Sequence, residues 1–140
     1  IGTGTGLLAF AALALWREAK GIATDIDPIS IDVTHDNARI NKVAVGHAPG
    51  QLLLVVADGM DHEMLVARAP FDLLIANILA GPLIELAPSF AKAAAPGASV
   101  VLAGLLDTQA DAVVAAYQAE GMTVAERGTG EWCVLVLNAA

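Results

Sequence analysis

Four short runs, 21–26 (GIATDI), 51–57 (QLLLVVA), 71–77 (FDLLIAN) and 98–105 (ASVVLAGL), are separated by segments of helical character. These runs are apolar nearly throughout instead of alternating with polar residues. A strand wetted on one face alternates; a strand covered on both faces does not. Strands of the second kind that alternate with helices demand crossover connections, and therefore a parallel sheet. The expected class is α/β, with a mostly parallel sheet and helices on both faces. Two last strands, 122–127 and 131–138, meet at the turn GTG and form an antiparallel hairpin at the C-terminal end.

The intervening segments carry helix signals of different kinds. Residues 7–18 are apolar on all sides, which predicts a buried helix. Asp27 stands directly before Pro28, an N-cap followed by a first-turn proline, and Ile29, Val33 and Ile40 then follow the helical period. Residues 43–50 read as a loop and 61–67 as a short helix. Gly81-Pro82 opens a further helix, which Pro88 is expected to kink or divide because it has no N–H for the ladder. Pro96-Gly97 reads as a turn. A last helix over 107–120 places Ala110, Val113, Val114 and Tyr117 on one face.

With 140 residues the chain is long enough for one domain. The longest unbroken apolar run, Leu7 to Trp16, is ten residues; a bilayer needs about 20. No basic segment precedes that run, so it does not read as a signal peptide. The single cysteine, Cys133, allows no internal disulfide, which points to a reducing cytoplasm, and it reads as a small buried apolar residue. His35, His47 and His62 have no second ligand at helical or turn spacing, which argues against a metal site. Trp16 and Trp132 read as core or edge packing. The formal net charge is −8 with no cluster of Lys or Arg, so the chain should repel phosphate backbones; the acidic balance serves plain solubility or attracts basic partners.

In parallel sheets ligands bind at the carboxyl ends of the strands. The residues there are the glycine loop (Gly2, Gly4, Gly6), Asp25 with Asp27, Asp58, and Asn77. The loop reads G-x-G-x-G, with Leu7 where a dinucleotide site would have its third glycine. Asp25, 23 residues beyond Gly2, is placed to accept both hydroxyls of a ribose, while Asp27 caps the next helix. The plainer reading makes both of them caps. Asp58 stands where an adenine amine would donate, or is a solvated loop aspartate. Asn77 alone reads equally as a turn residue. A nicotinamide oxidoreductase is disfavoured by the early third glycine and by the lack of a Tyr-Lys or histidine catalytic pair. A catalytically silent binding domain is disfavoured by the joint presence of Gly2, Asp25 and Asn77.

The segments GTGTG, ATDIDP, LIANILAGPLIELAP and GEWCVLVL, in that order, resemble the S-adenosylmethionine-dependent class I methyltransferases. More closely they resemble the methyltransferases of ribosomal large-subunit protein eleven, the PrmA type, over all 140 residues. The resemblance implies a Rossmann-like sheet and S-adenosylmethionine as cofactor. It implies that Gly2 binds the cofactor and that Asp25 holds its ribose; Gly4, Gly6, Ile26 and Asp58 join the expected cofactor pocket by their places in the loop and at the strand ends. Asn77 would line the place where methyl donor and acceptor amine meet. The implied reaction is methyl transfer to a lysine or N-terminal amine of a basic ribosomal protein, with no nucleic-acid or membrane contact. Related glutamine and nucleobase amine methyltransferases carry Asn-Pro-Pro and an aromatic residue at this point; here the run is Asn77-Ile78-Leu79-Ala80, without a ring to stack on a base. The family's loop follows a strand that ends in an acidic residue and lies centrally between the strands of Asp25 and Asn77. Residues 1–140 are therefore expected to be the C-terminal, cofactor-binding part of a longer chain.

Overall fold

The computed structural model describes residues 1–140. In chain order the elements are α1 (Leu7–Leu15), β1 (Gly21–Asp25), α2 (Pro28–Ile40), β2 (Leu52–Val56), α3 (Glu63–Arg68), β3 (Phe71–Asn77), α4 (Ala80–Ala93), β4 (Ala94–Leu106), α5 (Asp107–Ala119), β5 (Thr123–Arg127) and β6 (Trp132–Asn138). They fall into two compact units, Ile1–Met64 and Leu65–Ala140.

In the first unit β1 and β2 pair in parallel, from Gly21 opposite Leu52 to Asp25 opposite Val56. The residues before α1 run beside β1, where Thr3 N donates to Thr24 O at 2.9 Å. The core joins Leu13 of α1 to Ala23 and Leu52, with Ala9, Phe10, Val43 and Leu54 around it. That packing uses one face of α1 only. Of its residues Leu13 alone is buried, while Leu7 is 70% exposed, Leu15 74% and the adjoining Trp16 55%. Within residues 1–140 the all-round apolar pattern thus buries one face of the helix, not all of it. Helix α2 starts as its sequence predicts: Asp27 Oδ1 accepts from Ile29 N at 2.9 Å, with Pro28 at the first position. Its buried face, however, is Thr34 and Ala38, and Ile29, Val33 and Ile40 lie exposed. The period is right, but the inward face is one residue round the helix, about 100° away, where Thr34 reaches the glycine loop.

The second unit holds a four-stranded sheet of order β3-β4-β6-β5. β3 and β4 are parallel, and β6 runs antiparallel to both β4 and β5. Helices α4 and α5 pack on each other and on this sheet. Ala110, Val113 and Tyr117 of α5 are buried as their spacing predicts. Pro88 does not divide α4, which runs unbroken to Ala93. Its ring sits on the exposed side, where water can serve the carbonyl that loses its partner. Pro96-Gly97 is a bulge within β4, since Phe71 pairs with Ala94 and Leu73 already with Ser99. Trp132 is 64% exposed, so neither tryptophan is core, whereas Cys133 is buried as expected. Arg127 ties β5 to α5 through Asp111 at 2.6 Å and Asp107 at 3.0 Å. Such exposed pairs are screened by solvent and add little to stability.

Tyr117 meets Phe90 edge-on, with ring centroids 6.1 Å apart and planes at 74°. Its hydroxyl is buried without a hydrogen-bond partner. An unpaired buried polar group costs about 1–3 kcal/mol. Tyr117→Phe keeps the ring contact and removes that cost, so urea unfolding of the intact protein should show unchanged or higher stability. A loss beyond about 1 kcal/mol would mean that the hydroxyl is satisfied after all.

Candidate functional site

The glycine loop is built by its own left-handed residues and by four outside contacts. Gly2, Gly4 and Gly6 have φ of 65°, 55° and 88°, a region that glycine enters without strain. The loop closes on itself through Gly6 N to Thr3 O at 2.8 Å, and Gly6 O accepts the first helical bond from Phe10 N at 2.9 Å. Beyond the Thr3–Thr24 bond, Gly4 N donates to Asp25 Oδ2 at 3.0 Å. Thr34 Oγ1 donates to Gly4 O at 3.0 Å, and Asn37 Nδ2 to Thr5 O at 2.9 Å. At Gly6 a Cβ would stand 2.5 Å from the ring of Phe10 and 2.8 Å from Thr34 Cγ2, so glycine is required there for packing as well as for φ. At Gly4 nothing lies within 4 Å of that place, so the loop presents bare backbone on its open side.

Asp25 ends β1 and holds both neighbours of the loop. Its Oδ2 takes Gly4 N and its Oδ1 takes Asp27 N at 3.0 Å. A carboxylate offers about four acceptor sites, and these two bonds use two of them. Asp27 has its own work as the α2 cap, as the sequence suggests. Ile26, between them, is 65% exposed, an apolar side chain held at the strand end. Ala57 N donates to Asp25 O at 2.9 Å, which extends the β1–β2 pairing and places exposed Asp58 at the neighbouring strand end. Gly2, Gly4, Gly6, Asp25, Ile26 and Asp58 thus all gather at the carboxyl end of the first unit's sheet. The loop and the two strand ends carry carboxylates and no Lys or Arg. These carboxylates accept from hydroxyl and amine donors and would repel a phosphate.

Asn77 belongs to the second unit and lies at the carboxyl end of β3, paired with Ala103. It is exposed, and the chain leaves the strand through Ile78, whose N–H donates to Ala103 O at 3.2 Å. Two residues of the loop's support, Thr34 and Asn37, escape the sequence reading. The available signal is a polar residue, Thr34, in register with Ala38 on α2, where an apolar residue would be the ordinary choice.

These contacts carry a stability prediction. Asp25→Ala removes two charge-assisted bonds and should destabilise the ligand-free protein by about 1.5–3 kcal/mol. Thr34→Val keeps the volume, removes one neutral bond and should cost about 0.5–1.5 kcal/mol. Urea denaturation of both variants checks the order; equal stability of Asp25→Ala and the parent would show that the carboxylate does not hold the loop.

A family model for ribosomal protein L11 methyltransferase (PrmA) matches residues 1–140. The ribosomal protein L11 methyltransferase of Brucella suis (strain ATCC 23445 / NCTC 10510) is 47% identical over 123 residues, which is 88% of this chain and 41% of that protein. Its counterpart from Mesorhizobium japonicum is 45% identical over 117 residues, 84% of this chain and 38% of that protein. The chain therefore spans about two fifths of the length of these curated relatives. Among solved structures, the ribosomal protein L11 methylase from Lactobacillus delbrueckii subsp. bulgaricus superposes with a TM-score of 0.76 at 28% identity, over 99% of this chain and 68% of that one. A methyltransferase from Pyrococcus furiosus gives 0.76 at 18% identity, over 99% of this chain and 71% of that one, a likeness of fold alone. The fold is that of the class I methyltransferases, and the chain belongs to the ribosomal protein L11 methyltransferase (PrmA) family.

Proposed function

We propose that this chain is the cofactor-binding part of a protein that transfers methyl groups from S-adenosylmethionine to amines of ribosomal protein L11. The observation that carries the reading is the open glycine loop tied to Asp25, in a chain of this family. The residues present fit the cofactor. Bare backbone at Gly4 admits close approach, with Gly2 and Gly6 shaping the loop to either side. Asp25 keeps acceptor sites for the two ribose hydroxyls, Ile26 offers an apolar flank, and Asp58 can accept from the adenine amine. When bound, S-adenosylmethionine supplies a methyl group already activated on a sulfonium.

The protein's own task is then orientation and proton management. Holding the acceptor amine in a fixed place and orientation can lower the barrier by about 7–11 kcal/mol in favourable cases. A lysine amine has a pKa of about 10.4 in water and must be neutral to attack, so its proton leaves before transfer. Asn77 orients the amine by accepting a hydrogen bond; an amide is too weak a base to take the proton, which passes to water. The acceptor is a basic protein and not RNA, because the chain carries −8 and Asn77-Ile78-Leu79-Ala80 offers no ring to stack on a base. A cytoplasmic enzyme follows from that substrate; no helix is long and apolar enough to cross a membrane.

Incubating the intact protein with methyl-labelled cofactor and ribosomal components, then separating RNA from protein, tests the reading. Label is expected on L11 amines. Asn77→Ala should lower it strongly, to a slow but measurable rate, while cofactor binding persists. Label confined to the RNA fraction would end the proposal.

A further inference from the structure

Where β4 passes the end of β3 it carries a bulge: Leu102 pairs with Leu135 of β6 and Leu105 with Cys133, so Ala103-Gly104 supply one residue too many. Bulges of this kind re-aim a strand beside a functional site. Ala103 is the β3 partner of Asn77, and its carbonyl takes the Ile78 N–H at 3.2 Å. Gly104 follows with φ +84°, and a Cβ on it would stand 2.5 Å from Ile78 O, 2.9 Å from Ile78 N and 2.9 Å from Asn77 Oδ1. Two of those three atoms are backbone and cannot swing aside. Gly97, on the same strand, has φ +76° and nothing within 4 Å of the corresponding point. The two glycines share a left-handed backbone and differ in what they touch.

We infer that Gly104 is a positioning residue for methyl transfer: the absent side chain lets Asn77 and the Ile78 backbone close onto the β4 bulge, which sets where the Asn77 amide points. The catalytic part of this inference rests on the function proposed above; the positioning of the loop does not. Any side chain at 104 must push the Asn77–Ile78 turn outward, and the Asn77 carbonyl moves with it. A displacement of about 1 Å in a group that orients a reactant can cost about 100-fold in rate.

The test compares Gly104→Ala with Gly97→Ala in the intact protein. Gly97→Ala pays the same backbone strain without the collision, so both should lower the melting temperature. Only Gly104→Ala should speed hydrogen exchange at the Ile78 amide and lower kcat by about 10- to 100-fold with the KM for S-adenosylmethionine unchanged. Because Gly104 acts through Asn77, adding Gly104→Ala to Asn77→Ala should lower kcat by less than about twofold, the non-additivity expected of coupled neighbours. If Gly104→Ala does not fold, Gly104→Asn keeps the Cβ contact with a residue that tolerates the left-handed region, and the same readouts apply. Unchanged Ile78 exchange in a folded variant overturns the inference, as does a kcat loss no larger than that of Gly97→Ala. Should the parent protein transfer no methyl group, the function above fails by itself, and Ile78 exchange still decides whether Gly104 positions the turn.

Discussion

The carboxylate of Asp25 is the point on which the first unit's site depends. One oxygen holds the middle of the glycine loop at Gly4 and the other holds Asp27, which in turn caps α2. Loop, strand end and helix start are thereby registered to one side chain. Helix α2 then returns the favour from the opposite side, through Thr34 to Gly4 O and Asn37 to Thr5 O. A loop with three left-handed glycines has much conformational freedom to lose, and these bonds offset that loss before any ligand arrives. The same carboxylate is the one proposed to hold the ribose, so one group would serve both the architecture and recognition.

The chemistry that follows is one of hydrogen bonding without cations. A glycine loop at a helix start is a ready site for phosphate when basic side chains join it. Here the companions are Asp25, Asp27 and Asp58, which would repel a phosphate and which accept from hydroxyl and amine donors. Methyl transfer asks for the same economy at the other strand end. In the proposed reaction Asn77, exposed at the end of β3, would accept from the incoming amine and orient it, and the net charge of −8 would draw a basic protein by long-range attraction.

Much of this is legible in the sequence because it is local. Asp27 before Pro28 is a helix start, and the structure has that cap. FDLLIAN is a strand with its asparagine at the carboxyl end, and β3 is those seven residues. What escapes is set by contacts between distant residues. The apolar run of α1 reads as buried, yet only one of its faces meets a sheet. Ile29, Val33 and Ile40 have the right period and the wrong face, because Thr34 is claimed by a carbonyl 30 residues earlier. Pro96-Gly97 has turn chemistry and is absorbed into a bulged strand. Gly104 looks like any strand glycine until Ile78 is seen beside it.

The central claim is that the Gly2–Gly6 loop and Asp25 form a nucleoside site for S-adenosylmethionine. The most direct measurement is calorimetric titration of the intact protein and of its Asp25→Ala and Asp27→Ala variants with S-adenosylhomocysteine, alongside NAD. The account predicts that the parent binds S-adenosylhomocysteine and not NAD, and that Asp25→Ala weakens binding by about 1.5–3 kcal/mol. Asp27→Ala should act chiefly on helix stability. Binding lost in Asp27→Ala but kept in Asp25→Ala, or NAD bound in place of S-adenosylhomocysteine, would contradict it.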